Sequence, residues 1–152
     1  MIRLPTRLLL VFLSLPALCG TAFAADAGRI KTVAGAVTIE RGAQSLPAKV
    51  GLPVQVSDRI VTGADGSVGI SFADDSLLSA GPNSSLRIDQ FVYGDPKVKP
   101  AFESTLQRGT LSAVSGKIVK QAPGAMRVRT PTTILGVRGT DFVVEVSDAP
   151  AP

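Results

Sequence analysis

Histidine and tryptophan are absent from this 152-residue chain, and its one cysteine is Cys19. These absences exclude chemistry: there is no Ser-His or Cys-His pair, no zinc site built on imidazole, and no haem ligand of the usual kinds. The spacing Ser-x-x-Lys does not occur either, which removes the serine–lysine alternative. Aromatics make up 5% of the residues, too few to supply the stacking platforms of a nucleic-acid binder, and the basic residues read as scattered. Long apolar runs are lacking as well. Leu8 to Leu18 is an apolar stretch of eleven residues containing Pro16, well short of the roughly 20 that a membrane-spanning helix needs, and no later segment comes closer.

What the N-terminus does contain is the pattern of a secretory leader. Arg3 and Arg7 supply the positive region, Leu8 to Leu18 the apolar region, and Ala22-Phe23-Ala24 the small-x-small cleavage signal. Residues 1–24 are therefore expected to be removed after Ala24, with the product in the periplasm or secreted. Cys19 does not fit lipid attachment, because Leu18 precedes it where a small residue is wanted and Pro16 stands three positions before it. Without the leader the chain keeps 14 basic and 12 acidic residues and no cysteine. A fold in an oxidising compartment without a disulfide must rest on its apolar core, and 128 residues can build one such core.

From Ala25 onward short alternations are broken by Gly, Pro, Asn, Asp and Ser, the pattern of strands and turns. Val68, Ile70 and Phe72 alternate with Ser67, Gly69 and Ser71, which predicts one buried and one solvated face. Such segments recur about every nine or ten residues, as in an all-β sandwich, barrel or short solenoid. No convincing helix is present: Ser112 to Lys120 is interrupted by Gly116 and rich in Val and Ser, so it reads as strand and turn. Asp89 to Phe102, with Gly94-Asp95-Pro96 and Pro100, reads as a long surface connection. The organisation expected is a leader over 1–24, one all-β domain over 25–147, and a disordered tail over 148–152.

Several motifs stand in order along this pattern: Gly35-Ala36-Val37 with Arg41-Gly42, then Asp58 to Gly63, then Ser67 to Ser76, then Leu106 to Gly109, and finally Thr130 to Phe142. Together they resemble the FecR domain, a bacterial envelope β-module. Thr130, Pro131, Gly136, Gly139, Thr140 and Phe142 match its closing signature. The resemblance implies an all-β fold of stacked short strands in a roll or solenoid-like arrangement, with a β-sandwich as the alternative, and a regulatory or binding role outside the cytoplasm. Ser57 and Asp75 stand where the family commonly has glycine, so different turn types are expected there. The family's signalling members also carry a cytoplasmic anti-sigma segment and a membrane helix, and this chain is expected to act as the module alone.

The expected function is that of a non-enzymatic binding or regulatory module without a cofactor, engaging an envelope protein through strand edges or a loop. The alternative is a module for a small molecule or a cell-wall glycan. Arg138 is the single charge among Ile134 to Thr140; as a site it would contact an anion, and as structure it would bond turn carbonyls while Gly136 and Gly139 supply unusual backbone angles. Phe91, Tyr93, Lys97 and Lys99 form a second candidate surface, aromatics being common interface anchors. The competing reading folds Phe91 onto the core and leaves the lysines in water. Asp74 and Asp75, with Asp58 or Asp65, have the hard oxygens that calcium prefers, although turn aspartates bonding their own backbone account for them equally. Phe142, Val144 and Val146 alternate on one face and read as core.

Overall fold

The computed structural model describes residues 25–139 and 141–147. The leader, its cleavage site, Thr140 and the tail over 148–152 lie outside the described residues. Twelve strands form one curled sheet: β1 Asp26–Ala34, β2 Val37–Arg41, β3 Gln44–Pro47, β4 Pro53–Gln55, β5 Arg59–Thr62, β6 Ser67–Phe72, β7 Leu77–Ala80, β8 Ser85–Val92, β9 Ala101–Val114, β10 Met126–Arg129, β11 Ile134–Val137 and β12 Asp141–Val146. Their order is β3-β2-β5-β8-β9-β7-β6-β1-β4, with β10 and β12 also on β9 and β11 on β10. The expected all-β roll of short strands is thus present as a largely antiparallel sheet, β9 with β10 being its parallel pair.

The curl is organised by β9, the longest strand. Its first half pairs with β8 and β10, and its second half with β7 and β12. Phe102, Ser104 and Leu106 are buried in the first half, Leu111 and Ala113 in the second. The inward set passes from even to odd positions, so one residue must slip between them, because side chains alternate strictly in a strand. The register slips at Gln107, since Leu86 pairs with Leu106 and Ser85 with Arg108, and Gly109 just beyond it has φ +87°, a conformation that L residues rarely adopt. The bend lets one strand line both sides of the core, where Phe72, Phe91 and Phe102 meet with ring centroids 4.5–5.5 Å apart.

Two local expectations change. The segment read as strand and turn over Ser112 to Lys120 ends its strand at Val114 and then forms a short helix, α1, Lys117–Gln121. The helix is held by tertiary bonds rather than propensity: Lys117 donates its amide to the Asp74 carbonyl (2.7 Å), Ile118 donates to the Asp74 carboxylate (3.3 Å), and Ile118 and Val119 are buried. The connection read over Asp89 to Phe102 is shorter than expected. β8 continues to Val92 and β9 starts at Ala101, because Phe91 pairs with Phe102 and Val92 with Ala101, leaving 93–100 outside the strands.

Candidate functional site

The closing motif folds as a hairpin and a crossing. Pro131 sits in a turn that Thr130 closes: the Thr130 amide donates to the Thr133 carbonyl (2.8 Å), and the Thr133 amide donates to Thr130 Oγ1 (3.1 Å). β10 and β11 pair across it, with Gly136 opposite Arg127. The chain then passes to β12, which lies on the second half of β9 with Phe142 opposite Ala113. Val144 is buried there, and Phe142 and Val146 are half-buried against the core, as their alternation predicts.

Arg138 and the two glycines behave differently from expectation. Arg138 is exposed, and among the described residues its guanidinium has no hydrogen-bond or ion-pair partner. Neither Gly136 nor Gly139 has a positive φ, and a Cβ on either would meet open space. Their lack of a side chain leaves the backbone uncovered instead, and Gly139 presents its carbonyl to Ser115 Oγ (2.6 Å). Thr140 lies outside the described residues.

What the motif builds is an uncovered edge. Among the described residues no strand pairs with the outer side of β11 or β12. Ile134, Leu135 and Val143 are exposed there, Val143 by 68%. Two open grooves, of about 350 and 600 Å³, run past Leu135, Val143 and Val144. Uncovered, apolar strand edges are where a further strand adds.

The second candidate surface separates into anchor and tip. Phe91 stacks with Phe72 and Phe102, and Tyr93 is half-buried against the core. Lys97 and Lys99 are exposed. The structure therefore sets the aromatics beneath the loop and only the lysines at its surface.

The aspartates considered for calcium are engaged by protein donors. Asp58, 1% exposed, accepts Arg41 Nε (2.8 Å) and Nη2 (2.7 Å) on separate oxygens, and the Gln55 amide (2.8 Å). The bond to Asp58 raises the already high pKa of Arg41. Asp74 is fully buried and accepts the Ser76 amide, Ser76 Oγ and the Ile118 amide, while Ser76 Oγ accepts from Gly116. Asp75 pairs with Lys117 at 2.7 Å; this lowers the carboxyl's pKa and raises the ammonium's. Among the described residues, no three His, Cys, Asp or Glu side chains gather as a metal site.

A family model described as FecR protein matches residues 58–151. The chain belongs to the FecR family. No curated protein and no solved structure matches it. FecR domains are regulatory and signalling modules, which places the uncovered edge in a module of that kind. The FecR match begins at Asp58, and the pair between half-buried Arg41 and buried Asp58 ties the segment ahead of the match to its first residue.

The two departures from the FecR pattern turn out to be departures in residue, not in backbone. Ser57 has φ 75° and Asp75 φ 66°, the left-handed region that glycine enters freely. Different turn types were expected at both positions; instead the non-glycine residues adopt the glycine conformation. The Arg41–Asp58 clamp and the Asp74–Ser76–Gly116 knot are the features that reading along the sequence missed. Arg41 and Asp58 lie 17 positions apart, and an aspartate beside a turn carries no mark of whether its partner is local or distant.

Proposed function

We propose that this FecR-family chain is a non-enzymatic periplasmic module that regulates an envelope protein by binding it along the β11–β12 edge. The observation that carries this reading is that, among the described residues, β11 and β12 have uncovered outer edges and border the same grooves, with Ile134, Leu135 and Val143 exposed. An added strand would satisfy the free backbone groups, and its alternate side chains would enter the grooves. Placement in the periplasm rests on the leader pattern over residues 1–24. The absence of histidine, and the protein donors already on Asp58 and Asp74, leave few groups for acid–base catalysis.

A photo-crosslinking residue at Val143, compared with one at Val50, which is equally exposed elsewhere (67%), tests the proposal in cells. A protein adduct of one defined mass from position 143 alone is expected. Adducts from both positions alike, or none from 143, would end it, and retention on peptidoglycan without an adduct would favour the glycan alternative.

A further inference from the structure

Charge is divided unevenly along the chain. Residues 25–92 hold six Lys and Arg against seven acidic residues, whereas residues 93–140 hold eight against Asp95 and Glu103, a net of +6. Part of this excess, Lys99 and Arg127, borders one cleft. The loop over 93–100 adjoins α1, with Tyr93, Pro100 and Gln121 around one depression. Beside it lies an open cleft of about 630 Å³ between Lys99 and Arg127.

Two carboxylates near this face are paired with cations, and Asp95 is held by backbone amides. Glu103 takes Arg127 (3.5 Å) and Arg129 (3.3 Å), and Asp75 takes Lys117. Asp95 Oδ1 accepts the Lys97 amide (2.9 Å), and its carbonyl accepts the Val98 amide (3.3 Å), so the acid shapes the loop. Among the described residues Lys97, Lys99 and Lys120 have no carboxylate partner. Between the two lysines stands Val98, 48% exposed at the loop's surface. An apolar side chain flanked by cations, on a loop whose base is anchored by Phe91 and Tyr93, matches the interface of an anionic bilayer: the lysines meet phosphates and the valine enters the acyl boundary.

We propose that the 93–100 loop, with α1, docks the protein on membranes containing anionic phospholipid. A nucleic acid fits the face less well, because Phe91 and Tyr93 are committed to the core and Val98 has no counterpart on a phosphate backbone. This surface differs in residues from the β11–β12 edge and does not depend on it.

Vesicle co-sedimentation tests the proposal, with the chain as recovered from expressing cells and every variant in the same form. Vesicles of phosphatidylglycerol in phosphatidylethanolamine are compared with phosphatidylcholine alone. Binding is expected to the anionic vesicles only and to weaken with added salt. Lys97→Gln should lower the partition about fivefold, and Lys97→Gln with Lys99→Gln about 25-fold. Val98→Asp should lower it further, with an unchanged melting temperature in each variant because these side chains are exposed. Lys31→Gln with Lys49→Gln removes the same charge from the acid-rich part and should leave binding unchanged. Equal binding to both vesicle types, no binding, equal loss in the Lys31/Lys49 pair, or a Val98→Asp variant that binds like wild type would each overturn it.

Discussion

At the scale of single residues, this fold is set by a few polar side chains that reach across the sequence. Asp58 is buried with its charge matched by a two-point Arg41 fork, a geometry that lysine would not reproduce. Removing one partner of a buried pair leaves an uncompensated charge, which typically costs about 3–5 kcal/mol. Because the Arg41 side chain is 27% exposed, Arg41→Met should lower unfolding free energy by less, about 2–3 kcal/mol in urea titration, and adding Asp58→Asn should recover part of it. A loss under about 1 kcal/mol for Arg41→Met would show that the pair behaves like a surface one. Ser57 is the opposite case, a residue working against its conformation at φ 75°. The left-handed region costs an L residue about 1–2 kcal/mol, and glycine's greater freedom in the unfolded chain cancels part of the relief. Ser57→Gly should be stabilising by about 0.5–1 kcal/mol in the same titration, and a destabilised variant would refute the strain argument.

Among elements, β9 decides the shape. Its Gly109, just past the slip at Gln107, has φ +87°, and a Cβ there would strike Ser84, whose hydroxyl accepts the Thr110 amide (3.0 Å). Backbone strain and overpacking therefore act together, and Gly109→Ala should destabilise by about 3 kcal/mol, read as a lowered urea midpoint. A variant within about 0.5 kcal/mol of wild type would mean that the bend has another cause. The same strand shows what alternation reveals and what it hides. Val68, Ile70 and Phe72 are readable as an inward face because they meet the core, and Phe142, Val144 and Val146 are readable for the same reason. The other face of β6 is covered rather than solvated, Gly69 being buried and Ser71 half-buried. α1 is not readable: five residues with Gly116 before them have no helical period, and the helix exists because Asp74, over 40 positions away, accepts its first amides. The extension of β8 and β9 toward their shared loop was hidden likewise, since it rests on Phe91 and Phe102 meeting Phe72.

For the molecule as a whole, the candidate surfaces were legible as segments but not as surfaces. Thr130 to Phe142 is conspicuous in sequence, yet nothing in it tells that β11 and β12 border the same grooves with outer edges that are open among the described residues, because that depends on the bend in β9. Arg138, read from sequence either as an anion contact or as a clasp on turn carbonyls, is exposed. A half-closed sheet with apolar edges invites strand addition, and proteins block unwanted addition by placing lysine on the edge. Val143→Lys uses that device deliberately. The side chain is 68% exposed, so the substitution should leave the melting temperature within a degree or two of wild type, while a charge on the edge opposes an incoming strand. If the β11–β12 edge is where a partner binds, loss of one central contact of about 1.4 kcal/mol or more weakens binding at least tenfold in titration against the crosslinked protein. The same lysine at Val50 should change nothing. Unaltered affinity in Val143→Lys with an intact fold would remove the edge from the interface, and would leave the lipid-docking loop untouched because Lys97, Val98 and Lys99 do not line these grooves.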